Sequence, residues 1–198
     1  MNMDPNSKQI DEQIIETSAS HQTFFHATRQ NYGIGQAIHA NAVVNRIVDW
    51  LEEWFENQRP PGAPSRNSAL FAFDSPRNAW RFSHAEIFSP QLRLQQGNRN
   101  WRIFEVFLTN PLKAVTPIVD FLRRQGNQFP HIENAIQEYW NPQQTWHFFE
   151  YLSDEMQIIR EIVDRPNTQQ LAEAIEDWNE DTEQAKRIRP LIQHTGRS

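Results

Sequence analysis

The chain is 198 residues long, carries 25 Asp and Glu against 19 Lys and Arg, and has a formal net charge of −6. This length suits one domain, and a hydrophobic share of 38% excludes a wholly disordered chain. The absence of cysteine excludes a disulfide framework, a thiolate nucleophile and any Cys-ligated metal centre. No apolar run reaches the ~20 residues that span a bilayer, and the polar, acidic start at residues 1–18 is unlike a signal peptide. We therefore expect a cytoplasmic protein without a membrane segment.

The charge is distributed unevenly along the chain. Residues 59–124 contain nine Arg and one Lys against four acidic residues, so the acidic surplus lies in the flanks. A net charge of −6 provides no general electrostatic attraction to nucleic acid. A local basic surface in the middle of the chain is still compatible with such a partner.

The first half of the chain predicts two strands and two helices. Its predicted elements are, in order, a strand at 23–28, a glycine-bearing turn at 31–35, a helix at 42–58, a Pro-rich loop at 59–65 and a strand at 69–73. The triplet Asp74-Ser75-Pro76 is typical of a capped helix start, because a capping side chain precedes a proline at the first helical position. A second helix should therefore begin at Pro76.

The second half mixes strands and helices without an internal repeat. Its predicted elements are a strand at 101–108, helices at 118–124 and 131–140, an aromatic, β-prone segment at 146–152, a strand at 156–163 and an amphipathic helix at 167–188. Strands interleaved irregularly with helices favour one α+β domain, over residues 22–198, with residues 1–21 as a flexible leader.

Several common catalytic motifs are missing from the sequence. There is no P-loop, Gly-x-Gly-x-x-Gly, His-Glu-x-x-His or Gly-x-Ser-x-Gly pattern. The seven histidines are scattered, and no pair of them has the spacing of metal ligands on one helix face. We therefore expect no metal site.

Three short segments carry a resemblance when they are taken together and in order. They are Phe24-Phe-His-Ala-Thr-Arg29 with the glycine turn after it, Ser68-Ala-Leu-Phe-Ala-Phe-Asp74, and Phe149-Glu-Tyr-Leu152. Across residues 23–163 the chain resembles the ADP-ribosyltransferase superfamily, in the branch with a His…Tyr…Glu triad. The first half is most similar to the rifamycin ADP-ribosyltransferases, and the last segment is more similar to poly(ADP-ribose) polymerases and DNA-targeting transferase toxins.

The resemblance implies a fold and a co-substrate. The fold would be α+β, with split antiparallel β-sheets, a helical insertion at residues 40–64 and a C-terminal helix that has no counterpart in the family. NAD+ would be the co-substrate, and no metal would be needed. Residues 22–198 would then form a single ADP-ribosyltransferase-like domain.

The resemblance also implies roles for five residues in NAD+ binding. His26 would bind the 2′-hydroxyl of the adenosine ribose, the backbone of Ala27 would pair with the nicotinamide carboxamide, and Thr28 would support the turn or the ribose. Phe71 stands where the family has a stacking Tyr, so the ring face is kept and one hydroxyl is lost. Trp80 would form the other wall. The alternatives are a strand-end histidine bonded to backbone, and core aromatics at Phe71 and Trp80.

Three acidic residues compete for the catalytic role. By resemblance Glu150 would stabilise positive charge on the ribose and orient or deprotonate the incoming nucleophile. Asp154 takes this place when the comparison is anchored on the following strand, and Glu155 is a further rival. Candidates for binding the diphosphate or an acceptor, or for ordinary surface charges, are Arg29, Arg66, Arg77 and Arg81.

The expected activity is transfer of a single ADP-ribose unit, with nicotinamide released. A cytoplasmic, Cys-free transferase fits an intracellular toxin of a toxin–antitoxin or phage-defence system, with an antitoxin protein as partner and RNA or DNA as acceptor. The Arg-rich middle and Trp101 could hold a single strand by charge and stacking. The alternatives are a protein acceptor, a small drug-like acceptor, or a catalytically degenerate binding module, which the Phe at position 71 leaves open.

Overall fold

The computed structural model describes residues 22–40, 49–85 and 101–189, and these form an α+β structure. The strands are β1 (Phe24–Thr28), β2 (Ala37–His39), β3 (Leu70–Phe73), β4 (Arg102–Leu108), β5 (Leu112–Ala114), β6 (Glu150–Ser153) and β7 (Glu155–Ile162). The helices are α1 (Asp49–Asn57), α2 (Pro76–Ala85), α3 (Thr116–Gln125), α4 (Ile132–Trp140) and α5 (Thr168–Ala185). None of these helices is long and apolar enough to cross a membrane.

The seven strands form one antiparallel sheet in the order β2-β7-β4-β1-β3-β6-β5. The split into separate sheets that the resemblance implies is therefore not present as such. The junction between β1 and β3 is nevertheless narrow, because among the described residues a single register pair, Phe25 with Phe73, joins these strands. By contrast, β1 pairs with β4 along its whole length.

Most of the predicted elements are confirmed within a few residues. The predicted helix at 42–58 is described only from Asp49 onward, and the predicted leader at 1–21 lies outside the described residues. The sequence patterns missed β2 and β5. Each has three residues and lies at an edge of the sheet, so neither is long enough to show an alternating pattern.

The segment at 146–152 that was predicted to be β-prone forms a strand only in its last part, since β6 begins at Glu150. Before this point the backbone N–H groups of His147 and Phe148 donate to the Asp181 carboxylate of α5, over 2.8–3.1 Å. These donors are therefore satisfied by a side chain rather than by a neighbouring strand.

Helix starts follow the local capping rules. The Ser75 hydroxyl accepts the backbone N–H of Asn78 at 3.1 Å, and Pro76 is the first residue of α2. At the start of α5, Asn167 and Gln170 form a reciprocal capping box. The predictions for both helix starts are confirmed.

The sheet has one face packed by helices and one face packed by a loop. On the helix face, Phe73 and Ile103 pack with Ala79 and Trp80 of α2, and Leu152 packs with residues of α1, α3 and α4. On the opposite face, which we call the loop face, Phe24, Phe104 and their neighbours pack against Tyr32 and Ile38, which follow β1. Because side chains alternate along a strand, each strand residue belongs to one of these two faces.

Candidate functional site

The three segments that carry the resemblance lie side by side in the sheet. They form β1, β3 and β6, which are consecutive in the strand order although long stretches of chain separate them. Phe71 of β3 is opposite Leu152 of β6, and Phe73 is opposite Glu150. Non-local pairing has thus brought together the strands that carry His26, Phe71 and Glu150.

The side chains of these segments nevertheless divide between the two faces. Cross-strand partners share a face, so Phe25, Phe73 and Glu150 lie on the helix face, together with Phe71, two residues from Phe73. His26 follows Phe25 and projects to the loop face, opposite Phe104. Thr28 shares the face of His26, whereas Ala27 packs with the helix-face cluster.

The His26 ring is anchored to the neighbouring strand. Its Nδ1 donates to the backbone carbonyl of Phe71 at 2.6 Å, across the narrow β1–β3 junction. The side chain is half-buried, and this burial lowers the pKa of His26, while the bond to the Phe71 carbonyl acts in the opposite direction. The ring is therefore held neutral at physiological pH with Nδ1 protonated, which makes Nε2 a hydrogen-bond acceptor.

The turn after β1 is held by the side chains around it. The Thr28 hydroxyl accepts the backbone N–H of Gln30 at 3.1 Å, so Thr28 stabilises the turn. Gly35 has a φ of +79°, a conformation that favours glycine, and its N–H donates to the carbonyl of Ile158 in β7 at 2.8 Å. The backbone N–H of Ile158 in turn donates to the carbonyl of Gln36 at 2.9 Å.

Phe71 and Trp80 lie on the helix face. The half-buried Phe71 ring packs on the core formed with α1, α3 and α4, and the Arg66 guanidinium lies 5.2 Å from its centroid. Trp80 is 6% exposed and packs with Phe73 and Ile103. Both rings thus occupy the core environment that was the alternative to a role in NAD+ binding.

Glu150 lies in a buried polar cluster that we call the Arg66 cluster. This cluster comprises Glu52 of α1, Arg66 of the following loop, Tyr139 of α4 and Glu150 of β6. The Tyr139 hydroxyl donates to Glu150 Oε1 at 2.6 Å, and Arg66 Nη2 lies 3.6 Å from the same oxygen. Arg66 Nη1 donates to Glu52 Oε1 at 3.2 Å. Arg66 is 7% exposed and Glu150 only 2%, so both charges are removed from solvent.

Burial and pairing act on Glu150 in opposite directions. Burial raises the pKa of the Glu150 carboxyl, whereas Arg66 and the Tyr139 hydroxyl lower it, and the net direction is upward. Burial, together with the nearby Glu150 charge, raises the pKa of Tyr139 well above its ordinary value, so this residue is a neutral donor. An ionised Glu150 therefore depends on Arg66.

Asp154 and Glu155 are at the other end of β6. Asp154 is exposed in the turn between β6 and β7, and its carbonyl accepts the backbone N–H of Ala40 at 2.7 Å. Glu155 begins β7, where one carboxylate oxygen lies 4.0 Å from His39 Nδ1. These two carboxylates are accessible to solvent, which distinguishes them from Glu150.

Sequence reasoning missed most of the Arg66 cluster. Glu52 and Tyr139 were not predicted to have a role, and Arg66 was considered only as a surface charge or as a residue that binds the diphosphate or an acceptor. No local sequence pattern indicates this cluster, because the partners of Arg66 lie on α1, α4 and β6, which are far apart in the sequence. Two of the other candidate arginines also have partners: Arg77 pairs with Asp177 at 2.7 Å, and the Arg81 guanidinium lies 4.6 Å from the Trp178 ring.

Two comparisons bear on the identity of this site. No model of a known protein family matches the chain, and no curated protein matches it either. Within residues 22–40, 49–85 and 101–189, no three His, Asp or Glu side chains form a group that could hold a metal ion.

Proposed function

We propose that the protein is an NAD+-dependent mono-ADP-ribosyltransferase. The observation that supports this proposal most strongly is the adjacency of β1, β3 and β6, because these strands carry the three segments that resemble the family. A chemical site built from distant parts of the sequence requires this kind of convergence.

The β1–β3 junction is the place where we propose that NAD+ binds. The single register pair at Phe25 leaves the edge of β1 beyond it without a further ladder pair to β3 among the described residues. The backbone of Ala27 could there pair with a carboxamide, as the resemblance implies. His26 Nε2 is available as an acceptor for a ribose hydroxyl, since Nδ1–H is committed to Phe71.

Glu150 is the carboxylate that we propose acts on the ribose. The reaction breaks the bond between ribose C1′ and the nicotinamide nitrogen, whose electron pair leaves with neutral nicotinamide, while positive charge develops on the ribose. An ionised carboxylate stabilises this charge and takes the proton that the acceptor loses as it bonds to C1′. Because Glu150 lies on the helix face and His26 on the loop face, the proposed NAD+ must pass through the β1–β3 junction, with one ribose at His26 and the nicotinamide ribose at Glu150. Since Glu150 is buried with Arg66 and Tyr139, the Arg66 loop must also move before this ribose can reach it. Asp154, which is exposed, is the alternative carboxylate.

The acceptor that we propose is a nucleic acid. The Arg29 guanidinium, immediately after β1, lies 4.5 Å from the Trp101 ring, immediately before β4. Thr28 and Arg102 pair in the sheet, so this arginine and indole stand together where β1 ends, with Arg29 three residues along the chain from His26. A cation on an aromatic ring suits a single strand, which is bound by charge and stacking. An intracellular toxin neutralised by an antitoxin protein is the biological role that we propose.

To test the activity and the class of acceptor, purified protein is incubated with labelled NAD+ and cell lysate. The products are then treated with nuclease or with protease. We expect nuclease-sensitive label with the wild type and with Asp154→Asn, and no label with Glu150→Gln. Glu150→Gln keeps an acceptor for the Tyr139 hydroxyl, and thermal unfolding of each variant checks that it is folded. Label with Glu150→Gln and no label with Asp154→Asn would assign the role of the catalytic carboxylate to Asp154.

Other outcomes would point to the remaining acceptors. Label that only protease removes would indicate a protein acceptor, and label in the small-molecule fraction would indicate a drug-like one. The burial of Glu150 in an ion pair also favours a second candidate, a degenerate transferase fold that only binds ligands. This candidate predicts that wild-type protein releases no nicotinamide.

A further inference from the structure

The loop face around His26 carries an aromatic residue that has no role in the proposed reaction so far. Tyr32 lies in the turn after β1, with its ring centroid 6.1 Å from that of His26 and 5.7 Å from that of Phe104. Phe104 is opposite His26 in the sheet and is fully buried. The Tyr32 ring thus packs on the core beside His26 while the residue stays half-exposed.

Side chains outside the turn hold Tyr32 in this position. Arg102 Nε donates to Glu161 Oε1 at 2.6 Å, and its Nη2 pairs with Glu161 Oε2, which makes a two-pronged ion pair. Arg102 Nη1 donates to Oδ1 of Asn31, the residue before Tyr32. Together with the Thr28 bond to Gln30, these contacts fix the turn from both sides. An aromatic ring held in this way loses little conformational entropy when it contacts a ligand.

Phe71, which the resemblance implied as the stacking residue, projects to the opposite face. Its neighbours there are the Arg66 guanidinium and the helix-side core. A ligand whose ribose reaches the His26 ring lies on the loop face, where Phe71 cannot cover it. Tyr32 is a half-exposed ring that lies beside His26 on this face.

We propose that Tyr32 stacks on a heteroaromatic ring of a nucleoside whose ribose is bound by His26, and that Arg102 positions Tyr32 through Asn31. This inference rests on the proposed function, because a ribose at His26 is what the resemblance implies, whereas the position of Tyr32 beside His26 is observed. Stacking on an aromatic side chain typically contributes about 1–3 kcal/mol per base. Loss of the Tyr32 ring should therefore weaken binding by about 5- to 150-fold.

The test measures dissociation constants by calorimetry for NAD+, AMP and nicotinamide mononucleotide. The two mononucleotides separate stacking on adenine from stacking on nicotinamide. We expect Tyr32→Leu to weaken the binding of NAD+ and of one mononucleotide at least about fivefold. Tyr32→Phe should retain this binding, because it keeps the ring. Tyr151→Leu is the matched control, since Tyr151 is a loop-face tyrosine packed on Phe24 at 4.6 Å. It should destabilise the fold without a comparable loss of affinity.

The positioning role of Arg102 has its own readout. Arg102→Met should weaken the same mononucleotide as Tyr32→Leu, and the double variant should be no weaker than Tyr32→Leu alone. A structural role alone would lower the melting temperature of the single variants without this selective loss. Additive losses would overturn the coupling between Arg102 and Tyr32.

The failures of the two proposals are distinguishable. If wild-type protein binds AMP or nicotinamide mononucleotide but neither binds NAD+ nor releases nicotinamide from it, the transferase proposal fails and the Tyr32 variants still decide the nucleoside site. If NAD+ binds but Phe71→Leu weakens it and Tyr32→Leu does not, the role of Tyr32 is overturned. If none of the three compounds binds the wild type, both proposals are overturned.

Discussion

Replacing Arg66 by methionine removes a guanidinium that lies between two buried carboxylates. Arg66 is 3.2 Å from Glu52 and 3.6 Å from Glu150, and it is 7% exposed. At an effective dielectric constant of about 20, a charge pair at 3.6 Å interacts by roughly 5 kcal/mol. The cost of desolvating the guanidinium offsets part of this, so we expect Arg66→Met to lower the free energy of unfolding by about 3–5 kcal/mol. Methionine retains an apolar chain against Phe55 and Phe71, which limits the loss of packing.

The loss should depend on pH. Arg66 lowers the pKa of Glu150, so its removal raises that pKa further above the value in the unfolded chain. A carboxyl with a raised folded-state pKa contributes stability at low pH and loses it as the pH rises through the folded-state pKa. The deficit of Arg66→Met should therefore be larger at pH 8 than at pH 5.

Urea unfolding followed by tryptophan fluorescence and circular dichroism measures these free energies at both pH values. The double variant Arg66→Met/Glu150→Gln should recover about 1–3 kcal/mol at pH 8, because it removes a carboxylate that has lost its partner. The amide introduced by Glu150→Gln would keep an oxygen that accepts the Tyr139 hydroxyl. A loss below about 1 kcal/mol for the single variant, or no recovery in the double variant, would refute the view that Arg66 balances buried charge.

Two further predictions concern Asp181 and His26. Asp181→Ala leaves the backbone N–H groups of His147 and Phe148 without their acceptor, and it should lower the free energy of unfolding in urea by about 2–3 kcal/mol. Asp181→Asn keeps an oxygen acceptor and should lower it less. Equal losses for the two variants would contradict this account. Because the pKa of His26 is lowered in the fold, wild-type stability should decrease as the pH falls below about 6.5, relative to His26→Gln. Parallel melting temperatures of the two proteins between pH 8 and pH 5 would show that His26 is not responsible.

Local patterns were sufficient for much of the secondary structure. The capped start of α2 was predicted because Ser75 and Pro76 act on backbone groups within one turn. The start of α5 was predicted from its amphipathic pattern, and the structure adds the capping box at Asn167. The long strands β4 and β7 were predicted from their own apolar residues. The failures were the three-residue edge strands β2 and β5, and a segment whose backbone N–H groups are bound by a distant side chain. The stretch before Glu150 is held by Asp181 in α5, and a β-prone composition does not reveal such a partner.

The candidate site was predictable only in part, for the same reason. The resemblance implied that His26, Phe71 and Glu150 form one site. Their strands are adjacent, but His26 lies on the opposite face of the sheet from Phe71 and Glu150. The sequence did not indicate that Glu150 would be buried by Arg66 and Tyr139, because this cluster depends on how α1 and α4 pack on the sheet.

By itself, the sequence determined the α+β composition, the starts of α2 and α5 and the alternation of side chains within each strand. Only the tertiary structure decided which residues of neighbouring strands lie on the same face of the sheet. The pairing of Phe25 with Phe73 places His26 on the loop face beside Tyr32, and leaves Phe71 and Glu150 on the helix face. A shift of this register by one residue would exchange the faces, since side chains alternate with a period of two. The register is fixed by the burial of side chains from strands that are distant in the sequence. The residues of one strand alone therefore do not predict which strand it pairs with, or in which register.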